Sequence, residues 1–324
     1  TVLGLMQLYR WENKLELKGL PVIIPLLFSC AILTKGLVGI VLPLFVYLVY
    51  LLILRKYTFL KIAKTLVYTG ISSLFIPLIW YAAAYQQGGE GFLNALFAAD
   101  FGQFFHTERS FTGYHPASLL SGFIPWTLLF VFSLFGAKWC MPRKSFGQIL
   151  KDAWHWFLSI EKMKRFSLVV AVCIILFYSI PTSKNSAYLL SAYPFISILL
   201  AQYFIYITEN RSKVTRVFAY ILTTIASITF IAGILTMTQA IDFHSLASGY
   251  TTNEALLLTI GNITNTLASG GFANWVIMCL ILLSIATVIY QTTRKINIKI
   301  LYSTILMTFS LNLFVDSIVM QGCG

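Results

Sequence analysis

Runs of about twenty apolar residues recur along the whole chain, and each is long enough to cross a bilayer core about 30 Å thick. Such a chain has too little polar surface to enclose a core in water. Of its 324 residues, 58% are hydrophobic and 10% charged, against roughly 45–50% and about 25% in soluble domains. Soluble, disordered and disulfide-rich secreted classes are thereby excluded. Helices are the expected spanning form, because a helix satisfies its own backbone groups in lipid. The alternating ten-residue segments of a membrane barrel are absent.

The apolar runs fall at 20–34, 37–54, 65–84, 116–137, 166–182, 187–207, 217–238, 272–291 and 300–320, and residues 1–9 read as the tail of another span. The predicted fold is all-α: a polytopic membrane helix bundle of about nine spans plus the end of a tenth, with residues 1–324 as a single transmembrane domain. The start at Thr1 and the ending QGCG suggest an internal piece of a longer protein. The short link Thr34-Lys35-Gly36 predicts a tight helical hairpin. Three further segments show a helical apolar face without a spanning length. These are 92–105, 146–160 and 252–268, expected to lie at the membrane surface. In the second, Phe146, Ile149, Leu150, Ala153, Trp154 and Phe157 should face lipid.

The charges report orientation. Loops at 10–18, 55–64, 138–165, 208–216 and 292–299 carry 20 of the 23 Lys and Arg residues. They alternate strictly with the other loops, so all five fall on one side, the cytoplasmic one by the positive-inside rule. A net charge of +12 distributed in this way is not a nucleic-acid footprint. The opposite side keeps only Lys35, Arg109 and Lys184, with six of the eleven acids: Glu90, Asp100, Glu108, Asp242, Glu254 and Asp316.

No ionisable residue lies deep in a span, so a proton or ion path is not indicated. There is no P-loop, HExxH, GxSxG or complete dinucleotide fingerprint, and GGEG at Gly88–Gly91 reads as a loop. Cys30, Cys140, Cys173, Cys279 and Cys323 form no CxxC pair, so neither a metal site nor a disulfide framework is expected, and no cofactor. What stands out is the outer trio of cations. Arg can fork onto two phosphate oxygens and Lys adds a compact charge, so Lys35, Arg109 and Lys184 converging on an outer cavity would suit a lipid phosphate. Each has a plainer reading as well: a snorkelling anchor, a surface ion pair with Glu108, and a polar turn. Ser183 and Tyr188 could complete the site with a hydroxyl and a phenol. His115, at a helix start before Pro116, and Glu108 are secondary candidates; His106, Asp100 and Asp242 read as ordinary outer-loop residues.

Three stretches carry a resemblance: CAILTKGLVGIVLPL, the ER…HP…GFIPW series and FYSIPTSKNSAYLLSAYPF. They resemble the protein O-mannosyltransferases and lipid A aminoarabinose transferases, a family of C-type, polyprenyl-phosphate-dependent glycosyltransferases. The segment Ile180–Pro194 is the most specific part. The resemblance implies thirteen spans, four of them ahead of Thr1, with a periplasmic or lumenal active site. It implies that Lys35, Arg109, Lys184 and Tyr188 border the donor phosphate, and that the catalytic aspartate precedes Thr1. The implied partners are a polyprenyl-phosphate-linked sugar, a lipid A, protein or glycan acceptor and membrane lipids, in the inner membrane of the cell. A transporter or flippase of lipid-linked sugars is the rival reading; it should show midplane polar sites or broken helices repeated in two halves. A membrane scaffold would leave the three outer cations without a role.

The 20-to-3 charge split makes the topology testable. In a cysteine-free background, a cysteine placed in 138–165 should label only once the inner face is exposed. One placed in 240–270 should label from outside. Labelling of both from one side would sink the arrangement.

Overall fold

The computed structural model describes residues 1–12, 15, 21–105, 114–135, 145–180, 186–241, 243–250, 254–269 and 271–319. Among them the regular structure is helical, with no strand. In chain order the helices are α1 (Val2–Trp11), α2 (Ile23–Lys35), α3 (Val38–Leu54), α4 (Phe59–Phe105), α5 (Tyr114–Gly122), α6 (Trp126–Phe135) and α7 (Phe146–Ser159). They continue with α8 (Lys162–Ser179), a 3₁₀ turn at Ser186–Ser191, α9 (Tyr193–Asn210), α10 (Ser212–Met237) and α11 (Phe243–Ser248). The last are α12 (Glu254–Ser269), α13 (Gly271–Thr293), α14 (Asn297–Phe314) and a π turn at Val315–Val319.

Among the described residues four helical stretches are long and apolar enough to cross a membrane: Phe59–Phe92, Ser212–Met237, Gly271–Thr293 and Asn297–Ile318. The pair α5 and α6 makes a fifth if taken as one broken span. Only 28–39% of the most apolar part of each of the four is buried within the protein, so the rest of their apolar surface has lipid as its natural neighbour. α2 and α3 are apolar but shorter, at 13 and 17 residues. The chain is a multi-pass helical membrane protein.

Several boundaries differ from the sequence expectation, each for a local reason. The run 116–137 is not one helix, because α5 ends at Gly122 and α6 begins after Pro125. Proline lacks an N–H and crowds the preceding turn, which separates the two helices. GGEG is not a loop: α4 continues through it, with only Gly89 leaving helical geometry at φ 62°. The expected surface segment 92–105 is therefore the far end of α4 beyond that kink. The other two surface segments form α7 and α12. α7 opens with a capping box in which the Ser145 amide donates to Gln148 Oε1 at 3.4 Å.

The described residues divide into two compact units. The first comprises 1–122 and 141–201. Its core gathers Leu5, Leu8, Phe28, Ile32, Tyr47, Tyr50, Phe166, Val170, Ile174 and Phe195, all fully buried. The Phe166 ring lies edge-on to Tyr50 at 4.9 Å and to Phe195 at 5.9 Å. Polar side chains bond the helices together within this apolar mass: Ser29 Oγ of α2 donates to the Ser73 carbonyl of α4 at 2.7 Å, and Tyr47 Oη donates to the Leu8 carbonyl at 3.1 Å. The α2–α3 hairpin is as tight as expected. Gly36 turns it at φ 62°, and a Cβ on Gly39 would strike the Ala31 carbonyl.

At the other end of this unit Glu12, 2% exposed, closes a knot of three loops. Its carboxylate pairs with Lys162 at the start of α8 and with Lys56, 3.8 Å away, after α3. Its carbonyl accepts the Tyr57 hydroxyl at 2.6 Å. Three of the five basic loops thus meet at one end of the unit, as the strict charge alternation requires.

The second unit comprises 123–140 and 202–324. Here α10, α13 and α14 pack together, and Met278 fills the space that a Cβ on Gly233 would take. Asn274 Nδ2 donates to the carbonyls of Thr266 and Leu267, both at 2.9 Å, and so satisfies the last turn of α12. Trp126 packs on Phe204 and Phe218, while Ser133 bonds the Tyr203 hydroxyl at 2.8 Å.

The Glu12 knot yields a stability prediction. Glu12→Ala removes the buried charge and leaves two lysines that are one-third and one-half exposed, so the cost is that of the lost charged contacts discounted for solvent, about 1–2 kcal/mol. A fall in the thermal midpoint of the purified protein measures it, and an unchanged midpoint would contradict the knot.

Candidate functional site

At the end of the first unit opposite Glu12, α5, α8 and the 3₁₀ turn meet in a small aromatic and histidine cluster. α8 ends at Ser179, so the carbonyl of Tyr178 lies in its last turn and has no partner within the helix. His115, at the start of α5, supplies one: its Nε2 lies 2.8 Å from the Tyr178 oxygen. Because a carbonyl can only accept, Nε2 carries the proton here. His115 is fully buried. Its position before Pro116 is thereby explained as a bolt between α5 and α8.

Tyr188 sits on the 3₁₀ turn. A three-residue period brings positions i and i+3 onto one face, and Leu189, Ala192 and Phe195, all fully buried, follow that spacing into the core. Tyr188, one residue earlier, is left half-buried at the edge, with its ring stacked on Tyr178 at 5.0 Å and 13°. The chain after the turn is drawn close to α5. A Cβ on Gly122 would meet the Tyr193 hydroxyl. His115, Tyr178 and Tyr188 therefore form one assembly built from three separate segments.

Two of the residues singled out in the sequence, His115 and Tyr188, are thus brought together, with Tyr178 between them. Tyr178 was not foreseen; its signal was an aromatic residue in the last turn or so of a predicted span, four positions before the end of the run 166–182. Lys35 is exposed at the end of α2, beside the glycine that turns the hairpin, where its ammonium is open to solvent or a headgroup. Among the described residues no hydrogen bond, ion pair or ring contact joins it to the His115 cluster. Glu108, Arg109, His106, Ser183, Lys184 and Asp242 lie outside the described residues. Among the described residues no three His, Cys, Asp or Glu side chains gather in a way that could hold a metal ion.

No protein-family model matches the chain. An uncharacterized protein from Aquifex aeolicus (strain VF5) is 28% identical over 176 residues, which is 54% of this chain and 31% of that protein. Among solved structures, the crystal structure of ArnT from Cupriavidus metallidurans bound to undecaprenyl phosphate matches over 93% of this chain, with a TM-score of 0.56 and 19% identity. The chain has the ArnT fold. The resemblance read from the sequence is met, at the level of fold, by likeness in three dimensions. This chain spans about half of the ArnT structure, 47% of its length. The ArnT likeness extends over nearly the whole chain, so it rests on the succession of helices and not on one hairpin.

The His115 bolt can be tested directly. Leaving a buried carbonyl unpartnered costs about 1–3 kcal/mol. His115→Leu should lower the thermal midpoint by that equivalent, whereas His115→Gln, which keeps an N–H donor, should recover part of it. Equal losses in both variants would show that ring packing, and not the bond to Tyr178, holds the two helices.

Proposed function

We propose that this chain is the later part of the membrane domain of a glycosyltransferase that moves a sugar from a polyprenyl-phosphate donor to an acceptor on the outer face. One observation carries the reading: the fold likeness covers 93% of the chain, and that ArnT structure holds undecaprenyl phosphate. In this reading the chain has nine spans plus the end of a tenth, lies in the inner membrane, and forms one transmembrane domain with its site on the periplasmic side. Lys35, Arg109, Lys184 and Tyr188 border the donor phosphate, with Ser183 and His115 as secondary members of the site.

The chemistry accords with the charges. Sugar transfer passes through an oxocarbenium-like transition state in which the bond to the leaving oxygen breaks early. A departing phosphate needs no proton, but its growing negative charge must be stabilised. Preorganised cations at that position contribute typically a few kcal/mol each. The outer side is otherwise almost stripped of Lys and Arg, so three cations held there are well suited to a single anionic target. Tyr188, held flat against Tyr178, would add its phenol to that site with little rotational freedom to lose. The acceptor in this reading is a lipid A, protein or glycan hydroxyl. The rival, a transporter of lipid-linked sugars, would use the same cations without breaking the sugar–phosphate bond.

In the protein that carries this chain, Lys184→Ala should lower sugar transfer at least tenfold, about 1.4 kcal/mol of barrier, at unchanged membrane abundance. Full activity of a Lys35→Ala, Lys184→Ala double variant would remove the phosphate site. Movement of intact donor across the membrane, with no transfer, would favour the transporter.

A further inference from the structure

A second feature of the first unit lies at its other end, next to the Glu12 knot, and does not depend on the transferase reading. There α3, α7 and α8 enclose an open groove of about 220 Å³. Val49 and Ile53 of α3, Trp154 and Phe157 of α7, and Val169 and Cys173 of α8 line it, and its walls are wholly apolar. The apolar face expected of α7 is therefore divided. Phe157 turns in against the core of the unit, while Phe146, Leu150 and Trp154 stay exposed.

The surroundings fix what fills the groove. On α8 the lining begins about 10 Å along the axis from Lys162 and ends about 16 Å from it, at 1.5 Å per residue. With Lys162 at the headgroup layer, that interval lies within the acyl-chain region, whose half-thickness is about 15 Å. α7 lies as an amphipathic helix at that layer, and Trp154 is the residue type that settles at such an interface. In the segments that flank this lining, Arg55 and Lys56 follow α3, Lys151 comes one turn before Trp154, and Lys162, Lys164 and Arg165 open α8; the acids among them are Glu12, Asp152 and Glu161, the last 3.9 Å from Lys164. Glu12 is buried and turned to its lysines, so the outward balance is positive. Arg165 holds the corner in place, its guanidinium donating to the Leu158 carbonyl at 3.0 Å.

A groove with no polar group selects by shape alone, because a lipid chain gains little by leaving other lipid chains. Selectivity must come from the charged rim, through attraction of a negative headgroup. We infer that this groove is a binding site for an anionic phospholipid, one acyl chain lying between α3, α7 and α8 and its phosphate at the basic rim.

The test uses Trp154 as reporter. The whole chain is reconstituted in phosphatidylcholine vesicles carrying rising fractions of dibrominated phosphatidylglycerol or dibrominated phosphatidylcholine. Quenching of Trp154 is read as the difference between wild type and Trp154→Phe. Half-quenching should need at least fivefold less of the anionic lipid. Lys151→Gln/Lys164→Gln, on the exposed rim, should erase that preference, and Cys173→Phe should reduce quenching by both lipids by filling the groove. If Cys173→Phe does not fold, the rim variant still decides. Equal quenching by the two lipids, or a preference unchanged in the rim variant, would overturn the inference.

Discussion

Hydrocarbon offers a peptide group no bonding partner, and most of this structure follows from that fact. Within each helix the backbone closes its own hydrogen bonds. The difficulty is confined to helix ends and breaks, and there side chains from elsewhere intervene. His115 reaches the last turn of α8 and Asn274 the last turn of α12. Ser29 donates to α4, and Tyr47 to α1. These few polar residues are placed where a helix would otherwise leave a group unsatisfied. They fix which helices are neighbours, while the apolar surface around them packs with little directional preference of its own.

The same constraint separates what was legible in the sequence from what was not. Periodicity and length located α2, α3, α7, α10, α12, α13 and α14 within a few residues, because a helix in lipid is a local object. Even the closeness of the α2–α3 hairpin was readable, from Lys35-Gly36 standing alone between two apolar runs. The break between α5 and α6 was in principle readable at Gly122 and Pro125, yet hydropathy runs straight across both. The bond from His115 to Tyr178 joins residues 63 apart. Nothing in either local pattern points to the other. Glu12 was equally silent: an acid among basic neighbours looks like a solvated loop until Lys162 and Lys56 are folded onto it.

The two ends of the first unit solve different electrostatic problems. At the Glu12 end cations are plentiful, and one carboxylate suffices to gather three loops without neutralising the rim. At the His115 end charge is scarce among the described residues, and neutral contacts hold the segments: a ring nitrogen on a carbonyl, and two stacked phenols. A surface with so little fixed charge of its own leaves any nearby cation strongly felt, since few counter-charges compete for it.

The glycines carry a consequence for how far this sequence is free to drift. The chain has twenty of them, and composition cannot rank them. Contacts can. Gly91 and Gly147 face open space, so alanine, serine or larger residues should accumulate there by neutral change. At Gly233 and Gly122 the obstacles are the tip of Met278 and the hydroxyl of Tyr193, side chains that could change in step with a substitution. Gly39 is different, since its Cβ would meet backbone atoms of Ala31 and Ile32, which no exchange of side chains can move. Homologues that keep the hairpin should vary together at the first two kinds of site and stay fixed at this one.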